Sequence, residues 1–288
     1  MRGALALLLL LRALWGVELK LLPPYDAAEW EYSGLAWQGD RLLLLPQYPD
    51  GFLPTLERSQ LRRAIREKRA LQPSTIPFDD SAVRGRLKGY EGYEAIAVSG
   101  ERFFALVEAR LLFGGMRGYI VGGRIGPGGI VVDRFRELPL PEDLPNYAFE
   151  AMTVTADRVY LFYEANGVVA APFAYSLSHD LKSVDRVPME PVPYRITDMT
   201  ALRGAKAWAL NSFWVGDGKK LKVERSSNLG RIIELEWTPS GIRRTGRSIG
   251  LNSGGVSYNW EGIAAFEGGF VVITDAYPGT VIRFVEPR

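Results

Sequence analysis

The chain has no cysteine and only one histidine among its 288 residues. Disulfides are therefore excluded, and so are zinc sites built from several Cys or His ligands. A Ser-His-Asp triad would have to use His179, and no G-x-S-x-G nucleophile motif accompanies it. His179 lies in the polar segment SLSHDLKS, which predicts a surface position. If a metal ion is bound, the oxygen ligands that remain favour Ca²⁺, with Mg²⁺ as the alternative.

The chain also lacks a large net charge, since it has 35 Lys and Arg residues and 33 Asp and Glu residues. Removal of residues 1–16 would take away Arg2 and Arg12 and leave 33 basic and 33 acidic residues. Nucleic-acid binding needs a basic face, so no nucleic-acid partner is expected. The segment GGRIGPGG at 122–129 lacks the lysine and the following helix of a phosphate-binding loop, and predicts a turn.

No apolar run reaches the roughly 20 residues of a membrane-spanning helix, so no stable membrane span is expected. The start, MRGALALLLLLRALWG, resembles a secretory signal peptide over residues 1–16. We therefore expect a secreted or periplasmic protein whose mature part, 17–288, is a single domain and a monomer. The alternative is a retained extension or a weak membrane anchor.

What the chain does contain is one hairpin pattern written five times. The copies read YSGLAWQGDRLLLLPQ, YEAIAVSGERFFALVE, FEAMTVTADRVYLFYE, ITDMTALRGAKAWALN and WEGIAAFEGGFVVITD. In each copy a polar residue follows a large apolar one, and a second polar residue stands 14 positions later. We call these the first and second polar positions; the pairs are Ser33/Gln47, Glu94/Glu108, Glu150/Glu164, Thr197/Asn211 and Glu261/Asp275.

Each copy has two apolar runs around a polar turn, which predicts a β-hairpin. Repeated hairpins with further strand candidates between them predict an all-β propeller of about five four-stranded blades, six being possible. Further strands are expected at 119–124, 130–136, 231–237, 241–250 and 280–285. A strand at 17–22 would complete the last blade. The two polar positions of each hairpin are expected to face each other at its open end.

In a propeller the first strands line a central channel, so the repeated carboxylates should converge at one end of it. Six carboxylates that close repel one another unless they are protonated or compensated. A divalent cation would solve this problem, with Glu94, Glu150, Glu261, Asp275 and Asn211 as its predicted ligands. The alternative is a set of salt bridges or backbone hydrogen bonds, with Arg110 as a partner of Glu108.

A basic segment near residues 55–71, TLERSQLRRAIREKRAL, predicts a helical insertion. It either packs at the edge of the propeller or covers the channel mouth and attracts an anion. A second basic stretch, GDGKKLKVERSSN at 216–228, predicts a hairpin turn with charged flanks.

The phrases SGLA, YEAIA, FEAMTV, ITDMTAL and NWEGIAAFEGGFVVITD, in this order from about residue 30 to 285, resemble the phytase-like esterase family of secreted bacterial proteins. The pair Asn211-Ser212 departs from the acidic-basic pair expected there. The hairpins also resemble those of calcium-dependent lactonase propellers, in which acids and an asparagine surround an ion on the channel axis.

The resemblance implies a metal-dependent hydrolase of phosphate esters or related esters with a small anionic substrate, or a lactonase-like metal hydrolase. A carboxylate that is not fully used by the ion, Glu108 or Glu164, would act as general base, and Arg110 would hold the anion. The competing hypothesis is a non-catalytic propeller with a structural Ca²⁺ and a face that binds protein or glycan.

Overall fold

Strands make up nearly all of the regular structure in the computed structural model, which describes residues 16–112, 115–213, 229–251, 258–275 and 279–287. Apolar runs rich in Leu, Val, Ile and Phe form the strands, and glycines form several of the turns between them. Gly39 and Gly268, with φ of 60° and 83°, occupy left-handed turn positions that glycine adopts without strain. The leader at 1–16 and the basic stretch at 216–228 fall largely or wholly outside the described residues.

The described residues form twenty strands, most of which pair antiparallel with their neighbours in the chain. They are β1 (Val17–Leu19), β2 (Tyr32–Gln38), β3 (Arg41–Pro46), β4 (Phe52–Glu57), β5 (Ser74–Asp79), β6 (Tyr90–Ser99), β7 (Arg102–Arg110), β8 (Met116–Gly126), β9 (Gly129–Leu138), β10 (Phe149–Val154), β11 (Arg158–Tyr163), β12 (Phe173–Ser178), β13 (Val184–Pro188), β14 (Arg195–Met199), β15 (Lys206–Phe213), β16 (Leu229–Thr238), β17 (Gly241–Gly250), β18 (Trp260–Phe266), β19 (Gly269–Thr274) and β20 (Ile282–Val285).

The strands assemble into three four-stranded sheets and one eight-stranded sheet. The four-stranded sheets have the orders β10-β11-β12-β13, β14-β15-β16-β17 and β1-β20-β19-β18. The eight-stranded sheet consists of two antiparallel sets, β2–β5 and β6–β9, joined where β5 and β9 pair in parallel. That junction has only two residue pairs, Phe78 with Ile130 and Asp79 with Val131.

The N-terminal strand completes the sheet of the C-terminal hairpin, because Val17 of β1 pairs with Phe284 of β20. The first strands of the five repeated hairpins contact one another in a closed order, β2, β6, β10, β14, β18 and back to β2. Five clusters of buried apolar side chains fill the spaces between successive sets of strands. The sheets are therefore packed face to face around a central channel lined by the first strands.

The helical segment predicted near 55–71 corresponds to α1 (Arg58–Glu67), which follows β4 directly. A second, short helix is α2 (Ser81–Arg84), and two 3₁₀ turns lie at Ala28–Trp30 and Asn166–Val168. Helix α1 is ion-paired to Asp40 and Glu267 in two hairpin turns. It therefore lies at the turn end of the hairpins, and a position over the carboxylates at their open ends is excluded. None of the described helices is long and apolar enough to cross a membrane.

Candidate active site at the open ends of the hairpins

The first polar position is a β-bulge in all five hairpins. Strand pairing skips Ser33, Glu94, Glu150, Thr197 and Glu261, and the register shifts by one residue at each of them. A bulged residue leaves the ladder and its side chain is re-aimed, which is common beside active sites. The prediction that the two polar positions face each other was therefore wrong. Glu108 instead lies opposite Gly92, two residues before the bulge.

The turn of the fourth hairpin is one residue longer than the fixed spacing of 14 residues between the two polar positions assumes. Asn211 pairs with Ile196, whereas in the second hairpin Val107 pairs with Tyr93. The residue that lies at the position of Glu108 is therefore Ser212, which pairs with Arg195. The Ser212 hydroxyl is buried and makes no hydrogen bond within the part of the chain that the structure describes.

Both ends of the Asn211 amide are engaged within the fold. Its Nδ2 donates to the carbonyl oxygens of Pro193 and Arg195, each at 2.9 Å. Its Oδ1 accepts a hydrogen bond of 2.7 Å from Nε of Arg231. One of the two lone pairs of this oxygen is used by the guanidinium, whose positive charge would also repel a metal cation. Among the predicted ligands, Asn211 is the one that this geometry does not favour.

Two hairpins have a hydroxyl at the bulge, and both hydroxyls hold the neighbouring hairpin. Ser33 Oγ donates to the carbonyl of Tyr93 at 2.6 Å, and Thr197 Oγ1 donates to the carbonyl of Trp260 at 2.8 Å. In both cases the carbonyl belongs to the residue just before the bulge of a neighbouring hairpin, Tyr93 before Glu94 and Trp260 before Glu261. An ionised carboxylate cannot donate in this way, so the other three hairpins use the bulge differently.

Those three hairpins place Glu94, Glu150 and Glu261 at the same end of the channel. Burial raises the pKa of Glu94 well above its ordinary value, and the nearby charges of Glu108 and Glu261 raise it further. Burial also raises the pKa of Glu150 strongly, followed by the effects of Glu164 and Glu261, while Arg195 opposes the shift. Glu150 Oε2 is buried and has no hydrogen-bond partner among the described residues.

Two carboxyls, Glu108 and Glu261, have pKa values raised to near neutral pH. Burial, with the charges of Glu164 and Glu91, raises the pKa of Glu108 to about 7, and Arg110 opposes the shift. Burial raises the pKa of Glu261 to about 8; Arg195 opposes this shift, and Asp275 and Glu164 reinforce it. We call Glu94, Glu108, Glu150, Glu164, Glu261 and Asp275 the carboxylate cluster, because they are linked in this way.

Arg195 is the cation that the sequence analysis missed. Its guanidinium donates to Glu164 Oε1 at 2.9 Å and to Asn259 Oδ1 at 3.2 Å. Asn259 in turn donates to Asp275 at 2.8 Å. Arg195 and Asn259 both lie two residues before a bulge, as does Glu31 of the first hairpin. Comparing the copies at this position as well would have revealed a third polar position in three of the five.

The predicted anion-binding residue Arg110 lies at the rim of the cluster. Its Nε is 3.2 Å from Glu91 and its Nη2 donates to Asn146 at 2.7 Å, yet 43% of the side chain is exposed. Its charge lowers the pKa of Glu108. Arg110 is therefore near one member of the cluster and accessible from solvent.

Asp198, beside the fourth bulge, is a second acid that the sequence analysis missed. It is fully buried, and its Oδ2 accepts a 2.7 Å hydrogen bond from the backbone N–H of Ile263 in β18. Burial raises the pKa of Asp198 well above its ordinary value, although the N–H groups of Ile263, Met199 and Leu35 oppose the shift. Its contacts join β14 to β18, so it positions the strand that carries Glu261.

The oxygen atoms of the carboxylate cluster suit a hard cation, because they carry a large excess of negative charge. Two nearby oxygens, Glu150 Oε2 and Ser212 Oγ, have no hydrogen-bond partner among the described residues. As arranged, however, no three Asp, Glu or His residues in the described part of the chain lie close enough together to hold a metal ion. Binding of an ion would therefore require the carboxylates to move toward it.

The turn end of the channel differs sharply from the cluster. There a cavity of about 70 Å³ is lined by apolar residues from all five first strands, among them Leu35, Ile96, Met152, Met199 and Ile263. The channel is thus acidic at one end and apolar at the other.

His179 is buried, with 7% of its surface exposed, so the predicted surface position was wrong. Its Nδ1 contacts the guanidinium of Arg102, and its ring packs on Phe104 with 5.1 Å between the ring centroids. The side chain fills a space between two sheets.

No protein-family model and no curated protein matches the chain. Solved structures with a similar fold include a glycosyl hydrolase from Bacteroides ovatus, with a TM-score of 0.52 and 10% identity over 91% of this chain and 84% of that one. A putative glycoside hydrolase from Parabacteroides distasonis has a TM-score of 0.52 and 9% identity over 96% and 93% of the two chains. A putative oxidoreductase (glucose dehydrogenase) from Thermus thermophilus has a TM-score of 0.50 and 11% identity over 95% and 100%.

These structures give the chain a β-propeller-like fold. At such low identity they carry nothing about activity, and the three descriptions themselves name different chemistries. Because no family model matches, the resemblance to the phytase-like esterase family stays a prediction.

Proposed function

We propose that this protein is a metal-dependent hydrolase of phosphate esters or related esters, built on a propeller of five blades, with its reaction at the carboxylate cluster. The blades would be the strand sets β2–β5, β6–β9, β10–β13, β14–β17 and β18–β20 with β1. The closed order of contacts among the first strands supports this assignment. The two-residue junction of β5 and β9 would then be a contact between neighbouring blades.

The observation that carries the proposal is the position of Glu108, a partly buried carboxyl near the exposed Arg110, whose pKa is raised by burial. A carboxyl with a pKa of about 7 exchanges protons at neutral pH, which is what a general base requires. It is half-buried and lies near the exposed Arg110, so a substrate can reach both. Glu164 is the weaker choice for the base, because it is 1% exposed and ion-paired to Arg195.

An anionic substrate cannot approach the ionised cluster unless the negative charge is compensated. Arg195 compensates one carboxylate. A Ca²⁺ or Mg²⁺ ion held by Glu94, Glu150 and Glu261 would compensate two more charges, and when bound it would polarise the ester. Arg110 would then hold the anionic group. Export through a cleaved leader is part of the same proposal.

The proposal is tested with a panel of phosphomonoesters, phytate, carboxyl esters and lactones, each with Ca²⁺ and with chelator. We expect turnover that chelator removes, and that Glu108→Gln lowers by at least a hundredfold, the usual contribution of a general base. Glu137→Gln is the matched control, since Glu137 is an exposed acid paired to Arg117 on another strand. Equal rates in Glu108→Gln and wild type would contradict the assignment of the base.

A second candidate is a non-catalytic propeller with an enclosed structural ion and a face for protein or glycan. The burial of Glu94 and Glu261, at 7% and 8% exposure, favours it. It predicts that Ca²⁺ raises the melting temperature while every substrate class stays unhydrolysed.

A further inference from the structure

A second cavity of about 320 Å³ lies between the sheet β14–β17 and the hairpin β18–β19. It opens at the turn end of the channel, because its lining includes Arg203 before β15 and Gly268 in the turn after β18. It shares Ala201, Arg203 and Ala265 with the small apolar cavity of the channel. Its volume lies in the usual range for ligand pockets, whereas 70 Å³ is too small for an aromatic ring.

One wall of this cavity is an ordered charged surface. Glu234 is 3% exposed and accepts hydrogen bonds from Arg247 at 2.9 Å and Thr245 at 2.9 Å, with Lys206 at 3.4 Å. These contacts leave the carboxylate satisfied, and they hold both cations at the cavity wall.

Arg203 is the third cation of the wall, and its side chain has no hydrogen bond or ion pair with any residue in the described ranges. It is exposed and borders both cavities. Lys206 and Arg247 are already shared with Glu234, so one guanidinium remains for a ligand. A planar carboxylate matches a free guanidinium through two parallel hydrogen bonds.

Aromatic side chains line the cavity both beside this charged surface and across from it. Trp208 is paired with Glu234 on the neighbouring strand of the same sheet, and its ring contacts Phe270 of β19 with 5.3 Å between centroids. The guanidinium of Arg247 stands 4.9 Å from the Trp208 ring centroid, which fixes the indole. Phe266 completes this apolar side.

From this arrangement we infer that the cavity is a binding site for an organic monocarboxylate with an aromatic or compact apolar body. The carboxylate binds Arg203 and the cationic wall, and the apolar body lies against Trp208, Phe266 and Phe270. The site is at the opposite end of the channel from the carboxylate cluster. The inference about this site therefore does not depend on the proposed hydrolase activity.

Isothermal titration calorimetry with three probes tests the inference. 4-Phenylbutyrate has both features, 4-phenylbutan-1-ol lacks the charge, and inorganic phosphate lacks the apolar body. We expect 4-phenylbutyrate to bind at least tenfold more tightly than the other two. Arg203→Met should weaken it about tenfold, the value of one charged hydrogen-bonding contact.

Arg124→Met is the matched control, because Arg124 is 78% exposed on β8 and 4.0 Å from its nearest acid. It should bind 4-phenylbutyrate as the wild type does. Trp208→Phe should also weaken binding while preserving an aromatic core residue. The inference is overturned if no probe binds, if phosphate binds as well as 4-phenylbutyrate, or if Arg203→Met and Arg124→Met behave alike.

Discussion

Two kinds of hairpin meet at the acidic end of the channel, and they use the same bulged position in different ways. Ser33 and Thr197 donate hydrogen bonds to the backbone of the next hairpin. Glu94, Glu150 and Glu261 instead bring carboxyls together whose pKa values burial raises. The hydroxyls join neighbouring hairpins of the closed ring of first strands. The glutamates place carboxyl groups in that ring whose ionisation burial opposes. A repeated backbone feature can therefore serve stability in some copies and chemistry in others.

The largest effect on stability is expected at Asp198, which follows the bulged residue Thr197 in the fourth hairpin. Asp198→Ala leaves the buried N–H of Ile263 without its 2.7 Å partner and opens a small cavity. We expect a loss of about 3 kcal/mol in the free energy of unfolding, measured with urea.

Asp198→Asn keeps an acceptor for that N–H and is the matched variant. It should lose less than half as much stability as Asp198→Ala. If both variants unfold at the same urea concentration as the wild type, Asp198 does not connect β14 to β18.

A smaller loss of stability is expected when the hydroxyl of a bulged residue is removed. Thr197→Val is close in size but leaves the buried carbonyl of Trp260 without its donor, so it should lower the free energy of unfolding by about 1–2 kcal/mol. Ser212→Ala is the control, because the Ser212 hydroxyl is equally buried and has no partner to lose. Stability losses of equal size in the two variants would contradict the assigned role of Thr197.

Much of this comparison was visible in the sequence. Five hairpins, the turns between them and the strand pairing of the two termini follow from apolar runs and from one fixed spacing. The bulges could not be predicted, because the first strands are buried on both faces and their sequences show no hydrophobic alternation in which a one-residue shift could be seen. Asn211 was misplaced for the related reason that an extra turn residue shifts the fourth hairpin by one. Arg195 was missed because its relation to Glu164 exists only across two hairpins.

The pH dependence of stability separates the two kinds of hairpin further. Glu108 and Glu261 have folded pKa values of about 7 and about 8, above the ordinary value of 4.5. The folded state therefore binds protons more tightly, and this stability is present below pH 4.5 and lost as the pH rises through 7 and 8. Urea unfolding at a series of pH values should show stability falling from about pH 5 to 8.

Glu150→Gln should make that fall shallower, because the neutral amide removes one buried carboxyl whose own raised pKa contributes to the fall. Thr197→Val should lower the whole curve without changing its slope. A flat profile for the wild type would show that the cluster is ionised in the folded state.

The smallest effect is expected at the rim. Arg110→Gln removes an exposed ion pair with Glu91 and should change stability by less than about 0.5 kcal/mol. Because the Arg110 charge lowers the pKa of Glu108, the variant should move that pKa upward. NMR titration of the Glu108 side chain measures the shift, and an unchanged pKa would show that Arg110 does not act on the cluster.

The central claim is that the buried carboxyls of the cluster can exchange their protons for one divalent cation. Calorimetric titration of the purified protein with Ca²⁺ at pH 7, in two buffers with different ionisation enthalpies, counts the protons released on binding. The account predicts saturable binding that releases at least one proton per ion, tightens as the pH rises and is weakened by Glu150→Gln. Absence of binding at millimolar Ca²⁺, or the same heat in both buffers, would contradict it.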